Sequence, residues 1–304
     1  IGGGYVIFQA GISLTNFSTQ KFFDKKAWNP FPIGDGQKLS LRVQTNGDYY
    51  HAVSLSFTEP WLGGRKPNAL SVGVYYSYQD DGFWNTTGTS EYYIGILGGS
   101  VSLATRLKWP DDYFTFVHGL AYQQYNVKNY TTLTAMPTGI SNNINYNFTL
   151  ARNSVDQLIY PRQGSDISLA AQMTFPYSLV NGKDYSSLSP AERYKWLEYY
   201  KINFRAAWYF NLFDDLVVST RARFGFLGQY NSKVGYSPFE RFYLGGDGLT
   251  GYQLDGRELV ALRGYDESSL SPDGGGMVFD KYTMELRYPI TLNEGASVYA
   301  LAFF

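Results

Sequence analysis

The strongest constraint on the fold is a period-two alternation of apolar and polar residues that recurs along the whole chain. In segment 70–78 the even positions are Leu, Val and Tyr, whereas the odd positions are Ser, Gly and Tyr. Successive side chains of a strand point to opposite faces, so each such segment has one apolar and one polar face. The polar faces consist of Ser, Gly, Gln, Asn and Arg, which suits a wet interior.

The number and length of these segments favour a membrane barrel over a soluble β-sandwich, which would show the same alternation. Most predicted strands match the ~9–11 residues of a tilted membrane strand, whereas soluble strands have about 5–6. Aromatic residues make up 18% of the chain and suit the girdles of such a barrel. We therefore predict an all-β, transmembrane antiparallel β-barrel. About twelve strands are expected, at 5–16, 37–46, 49–59, 69–79, 91–106, 112–125, 145–153, 165–175, 199–211, 216–228, 278–288 and 296–304.

The connections between the predicted strands alternate in length. Asn46-Gly47-Asp48 predicts a tight turn, because Gly, Asn and Asp tolerate positive φ. Short turns at one end of the barrel and long loops at the other are typical of outer-membrane barrels. Pro190 to Tyr200 has the composition of a short helix. The longer links are expected at 17–36, 126–144, 176–198 and 229–277.

The sequence offers no credible active site. The net charge is −1, which removes the electrostatic argument for nucleic-acid binding. There are no cysteines, and the two histidines, His51 and His118, have no spaced partners for a metal site or a triad. Residues 246–251 match G-x-G-x-x-G without the βαβ context of a nucleotide site. We expect no enzymatic activity, no metal and no cofactor.

The long segment 229–277 contains residues that resemble a known family. Phe239 to Gly246 reads FERFYLGG, and the tetrad Leu262-Arg263-Gly264-Tyr265 follows. This pattern resembles the sixth extracellular loop of the BamA family, in which an aromatic run ending in Gly-Gly precedes a V/I-R-G-F/Y tetrad. Phe242, Gly245 and Gly246 form the approach to the tetrad. The chain departs from the family by inserting residues 247–261 between the two halves.

Three further motifs occur in the family's order. Phe57-Thr58-Glu59-Pro60-Trp61-Leu62 is similar to a strand-ending motif, and Tyr160-Pro161-Arg162-Gln163-Gly164-Ser165 to a turn motif. Met284-Glu285-Leu286-Arg287-Tyr288-Pro289 resembles the strand after the sixth loop. Each motif alone is weak, but four in register form a strong signal. The chain therefore resembles the BamA/TamA/Sam/Toc superfamily, and its aromatic style suggests a Bacteroidota-like member.

The resemblance implies a role for the tetrad arginine, which in the family folds into the barrel and pairs with acidic groups on the wall. Arg263 is that residue here, and Glu285 is its expected lumenal partner. The alternation agrees, since Tyr282, Met284 and Leu286 form an apolar face that turns Glu285 toward the lumen. A bidentate arginine–carboxylate pair could fix a long loop. Gly264 is expected to allow close backbone approach. The alternative is an arginine on a solvated loop tip.

The resemblance also implies an incomplete barrel over 1–304. The predicted strands correspond to the second through thirteenth of about sixteen, with 229–277 as the sixth extracellular loop, folded into the lumen. A further strand before them, three after them and upstream POTRA domains are expected in a longer protein. We therefore expect the chain to be part of a larger barrel and not a natural twelve-stranded pore.

The function implied is that of an insertase, which folds and inserts β-barrel proteins into the bacterial outer membrane through a lateral seam. Its partners would be unfolded outer-membrane proteins, accessory subunits that are periplasmic or lipoproteins, and outer-membrane lipids. The main alternatives are a TamA-like or two-partner-secretion barrel of the same superfamily, and a passive porin or transporter. A soluble enzyme on a β-sandwich is a more distant alternative. Client range and accessory subunits are not specified by the sequence.

Overall fold

Twelve antiparallel strands form a single sheet in the computed structural model, which confirms the predicted all-β architecture. Each strand of the sheet pairs with the next one of the sheet along the chain, and one of these pairs spans the longest loop. The structure describes residues 7–28, 30–47, 49–64, 67–80, 92–130, 135–213, 215–246, 258–293 and 296–304. The strands of the sheet are β1 (Phe8–Phe17), β2 (Gln37–Thr45), β3 (Tyr50–Glu59), β4 (Asn68–Asp80), β5 (Tyr93–Arg106), β6 (Phe114–Lys128), β7 (Gly139–Asn153), β8 (Gly164–Thr174), β9 (Tyr200–Phe213), β10 (Leu216–Gly228), β13 (Val278–Asn293) and β14 (Ala296–Phe303). A separate parallel pair comprises β11 (Phe242–Leu244) and β12 (Glu258–Val260).

The alternation correctly predicted which side chains face outward. Leu55, Val74 and Phe224 are each more than two-fifths exposed, as are Tyr282 and Met284 of β13. A row of exposed apolar side chains would be unfavourable in water but is the surface that a lipid bilayer requires. The polar residues between them face the lumen, so a one-residue shift in register would reverse both surfaces.

Strand β7 is the largest departure from the predicted boundaries. It begins at Gly139 instead of at 145, because Ile140 to Ile144 continue the ladder with β6, from Asn126 to Tyr122. The link before it therefore shrinks from the predicted 126–144 to 129–138. Asn142 and Asn143 have low intrinsic strand preference, and the cross-strand pairing overrides that preference.

The two ends of the barrel carry different connections. Links 129–138, 175–199 and 229–277 lie at one end, which we call the long-loop end, and the opposite end is the short-turn end. The prediction that all long links share one end is wrong for 18–36, which joins β1 to β2 at the short-turn end. The tight turn after β2 lies at the long-loop end, and its Asp48 is outside the described residues, as are residues 247–251 of the Gly-rich match.

Link 175–199 contains two single-turn helices, α1 (Tyr177–Val180) and α2 (Pro190–Arg193). The helix predicted over Pro190 to Tyr200 is present but ends at Arg193. Ser189 and Glu192 form a capping box at its start. The chain leaves the helix because it then forms a parallel bridge between Trp196 and Asn142 of β7. No helix among the described residues is long and apolar enough to cross a membrane.

The hydrophobic core lies inside the sheet, near the long-loop end. Inward-facing side chains of β5 and β6 pack there against residues from all three long links. The core thus holds these links against the inner wall. Its members are Ile94, Ile96, Tyr125, Val127, Tyr130, Met136, Tyr185, Tyr194, Leu197, Tyr199, Leu227, Val234, Phe239, Phe242, Val260 and Phe279.

Candidate functional site in the barrel lumen

The long loop 229–277 packs against the inner wall through its aromatic run. Phe239 stacks on Tyr125 of β6, with ring centroids 4.1 Å apart. Phe242 is fully buried and meets Phe279 of β13 edge-on at 4.8 Å. Such aromatic pairs contribute about 0.5–1.5 kcal/mol beyond the burial of their area. The first half of the loop is therefore fixed to the wall on both sides of the lumen.

Lys201, on the inward face of β9, connects the two halves of the loop. Its Nζ lies 3.2 Å from a carboxylate oxygen of Glu240 and 2.9 Å from one of Glu258. The same nitrogen lies 4.7 Å from the ring centroid of Phe242. The Lys201 side chain is only 5% exposed. A buried ammonium group is stable only when it is paired and hydrogen-bonded, so this geometry couples the wall to the loop electrostatically.

Glu240 is also the end of a chain of hydrogen bonds through the lumen. The Tyr199 hydroxyl donates to Glu240 at 3.1 Å, and the Asn143 amide donates to Tyr199 at 3.1 Å. Burial, reinforced by the negative charge of Glu240, raises the pKa of Tyr199 well above its usual value. The phenol therefore stays protonated and can act as a donor.

The hydrogen-bond chain continues beyond Asn143 across the wall. Asn143 donates to Gln123 at 3.0 Å, and Gln123 donates to Tyr75 at 2.6 Å. Tyr75, Gln123, Lys201, Glu240 and Glu258 all line one polar cavity of about 320 Å³. The network thus ties β4, β6 and β7 to the same loop that β9 holds by charge.

The structure brings the predicted approach residues and the tetrad together. The amide of Gly246 donates to the carbonyl of Tyr265 at 2.9 Å, and the amide of Leu262 donates to the carbonyl of Gly246 at 2.8 Å. Gly245 donates to the carbonyl of Val260 at 3.1 Å. The Gly-Gly pair and the tetrad therefore form one backbone unit, although residues 247–261 separate them in sequence.

The glycine that requires close approach is Gly245 and not Gly264. A Cβ on Gly245 would collide with the backbone carbonyl of Asp266, and the φ of Gly245 is +125°. At Gly264 a Cβ would meet open space, so the expected close approach is wrong at this position. What Gly264 supplies is a φ of +88°, which L residues with a Cβ adopt only at a cost.

Arg263 extends from this unit to the wall at β14. Its guanidinium carbon lies 5.3 Å from the centroid of the Phe303 ring. Phe303 is the cross-strand partner of Glu285. Just before the tetrad, Lys281 Nζ donates to the carbonyl of Ala261 at 2.5 Å. Arg263 therefore reaches the wall at the level of Glu285, but one strand further along the sheet.

The expected ion pair between Arg263 and Glu285 does not form in this structure, in which both residues are described. Glu285 instead accepts from Arg287 Nε at 2.8 Å and pairs with Arg221 at 3.2 Å. Two guanidinium groups already neutralise this carboxylate, so a third cation gains little there. An aromatic face is the alternative partner for a guanidinium. The functional role of the tetrad stays a prediction.

Sequence reasoning missed the Lys201–Glu240–Glu258 cluster. Lys201 and Glu240 are 39 positions apart, so no local spacing connects them. One signal was present: Glu240 is the single carboxylate within the aromatic run Phe239 to Tyr243. A carboxylate inside an apolar run indicates a buried partner.

A family model described as the Omp85 superfamily domain matches residues 33–304. The chain belongs to the Omp85 superfamily. This membership agrees with the resemblance expected from the four motifs, and it indicates an outer-membrane protein.

Two solved structures are similar to this Omp85 chain. One is BamA from Haemophilus ducreyi lacking POTRA domains 1-3, at 19% identity and a TM-score of 0.64, covering 98% of this chain and 54% of that one. The other is CdiB from Acinetobacter baumannii, at 12% identity and a TM-score of 0.47, covering 99% of this chain and 47% of that one. The chain spans about half the length of each. The likeness to BamA shows the barrel fold, as predicted.

Proposed function

We propose that this Omp85 barrel belongs to a BamA-type insertase, which folds β-barrel proteins into the bacterial outer membrane. The observation that carries the proposal is the attachment of loop 229–277 inside the lumen by Lys201, Glu240 and Glu258. A lumen occupied by an ion-paired loop is poorly suited to free diffusion of solutes. Such a lumen suits a barrel that acts through the strands of its wall and not by conducting solutes.

In this proposal the wall acts as a template for strands of the client. A seam between the first and last strands of the barrel opens and exposes unpaired N–H and C=O groups. A client strand then pairs with that edge through main-chain hydrogen bonds, which tolerate many client sequences. The reaction requires no covalent step and no cofactor. Its partners are unfolded outer-membrane proteins, bilayer lipids and accessory periplasmic or lipoprotein subunits.

The inner loop supports this mechanism by keeping one side of the wall rigid. Its contacts with β9, β10 and β13 run through Lys201, Gly225 and Lys281. These three strands are consecutive in the sheet, and β13 pairs in turn with β14. A section of wall held rigid in this way would keep its shape while the seam opens and the client strand pairs.

The proposal is tested by reconstituting the purified protein in lipid vesicles and adding a urea-denatured outer-membrane barrel as client. We expect faster folding of the client, read as its heat-modifiable band on gels, than in empty vesicles. Conduction of ions without faster folding would favour a porin. Export of a secreted substrate without faster folding would favour a translocation barrel of the same superfamily, and either result would overturn the insertase proposal.

A further inference from the structure

The link 18–36 between β1 and β2 folds over the outer face of the wall. Leu41 and Val43 of β2 are exposed on the lipid-facing side, and Gln37 belongs to the same alternating face. Gln37 is nevertheless only 5% exposed. Its side-chain oxygen accepts from the backbone amide of Thr19 at 2.7 Å. The link therefore covers the lipid-facing side at the short-turn end.

Beneath this cover lies a polar pair that lipid could not solvate. The Gln37 side chain donates to the carboxylate of Glu59 at 2.7 Å and to the hydroxyl of Thr19 at 3.0 Å. Glu59 pairs with Leu70 across β3 and β4, on the same outward face as Phe57. Burial of such groups is tolerated only when they are hydrogen-bonded. Thr19 of the link supplies two hydrogen bonds to Gln37, and Glu59 accepts from Gln37 and from the backbone amide of Trp61.

The outer surface of the link is aromatic. Phe17, the cross-strand neighbour of Gln37, is buried beneath Phe22, with ring centroids 6.4 Å apart. Phe22 in turn contacts Phe23 at 5.3 Å and Trp28 at 5.5 Å. Phe23 is 91% exposed. This aromatic cluster continues the exposed apolar band of β1 and β2 beyond the end of the strands.

Positive charge lies beside the aromatic cluster. Link 18–36 contains three lysines and two aspartates. Asp35 accepts from Ser18 and Asp24 caps the 3₁₀ turn Lys25–Ala27, so both acids are engaged within the link. Lys25 and Lys26 are exposed, and within the described residues neither forms an ion pair. Aromatic rings next to lysines are the composition of segments that lie at a membrane interface.

We propose that link 18–36 is an interfacial anchor, which inserts Phe22, Phe23 and Trp28 among the phospholipid headgroups at the short-turn end. Lys25 and Lys26 bind the lipid phosphates. The continuity with the lipid-facing band and the local excess of positive charge select a lipid surface as the occupant. The anchor would hold the membrane at a fixed height beside β1, which is an edge strand of the described sheet.

The test uses the absence of cysteine from the chain. Phe23→Cys and, as a matched control in an exposed loop at the long-loop end, Ser187→Cys are labelled with an environment-sensitive fluorophore. Both variants are placed in lipid nanodiscs of phosphatidylcholine and phosphatidylglycerol. We expect blue-shifted emission at position 23, quenching by lipids spin-labelled near the headgroup, and protection from iodide. Aqueous emission with iodide quenching equal to that at position 187 would overturn the proposal.

Two further experiments distinguish lipid contact from contact with a second copy as the cause of a fluorescence shift at position 23. Lys25→Gln with Lys26→Gln should reduce lipid quenching at position 23, most strongly at low salt. Unchanged quenching would overturn the assignment of the lysines. A blue shift that appears in detergent and grows with protein concentration would show contact with a second copy and would overturn the lipid assignment. Folding of each variant is verified by heat-modifiability on gels.

Discussion

Lys201 and Glu240 form an ion pair at 3.2 Å in which the lysine side chain is 5% and the glutamate side chain 12% exposed. The lysine belongs to the wall and the glutamate to the long loop, so this contact joins the loop to the wall. Because Glu258 shares the same ammonium group, a single substitution can disturb two loop positions at once.

Lys201→Met should destabilise the folded barrel by about 3–5 kcal/mol, because it removes the counter-charge of Glu240 and leaves Glu258, among the described residues, with only Arg223, 3.9 Å away. The measurement is urea-induced unfolding in vesicles, followed by tryptophan fluorescence. Lys233→Met is the control, since Lys233 pairs with Asp184 in an exposed position. Equal effects of the two substitutions would contradict the importance of the lumenal pair.

Glu285→Gln should cost about 3 kcal/mol, because Arg287 is only 6% exposed and would lose its counter-charge. The temperature at which the folded gel band converts to the unfolded one reports this change. Asp166→Asn serves as a control, since Arg205, 3.8 Å away, is 61% exposed. That control should change stability by less than about 1 kcal/mol.

Gly245→Ala should release the tetrad from the wall, because its Cβ would collide with the carbonyl of Asp266 at a φ that alanine avoids. Gly264→Ala should cost only about 1–2 kcal/mol, since only its positive φ opposes the substitution. Limited proteolysis within loop 229–277 compares the two. More rapid cleavage of Gly264→Ala than of Gly245→Ala would be the opposite of what we expect.

Arg263→Ala should lower stability only slightly, by about 0.5–1 kcal/mol, because its guanidinium contacts an aromatic face at an exposed site. We nevertheless expect a looser loop and impaired assembly of outer-membrane barrels. The readouts are growth of cells that depend on the variant and heat-modifiability of the variant. Normal growth and normal heat-modifiability would argue against a role for the tetrad. Arg263→Lys keeps the positive charge and removes the planar guanidinium, so it shows which of the two is required.

The lipid-facing side of the barrel was predictable because each outward position must be apolar over the length of a strand. Tyr282 and Met284 illustrate this rule, since both occupy even positions of β13 and both are exposed. The start of β7 was not predictable, because the consecutive polar residues Ser141, Asn142 and Asn143 break the alternation and resemble a loop. Their strand conformation depends on pairing with β6.

The lumenal site was predictable only in part. The Gly-Gly pair and the tetrad were identified from the resemblance, and the structure joins them by backbone hydrogen bonds. The pairing of charges was not predictable. Glu285, Arg221 and Arg287 meet because of the register between β10 and β13, and Glu240 meets Lys201 because of a loop path that no periodicity encodes.

The parallel pairing of β11 with β12 fixes the two ends of the chain between them, whatever the length of that chain. Phe242 faces Glu258 across this pair, so the two ends of the intervening chain lie next to each other. Lengthening a chain between two adjacent ends costs little, since each doubling of its length adds only about 0.6 kcal/mol of closure entropy. We therefore expect that an epitope or a fluorescent reporter inserted between 247 and 257 would leave the lumenal contacts of Phe242 and Lys201 in place.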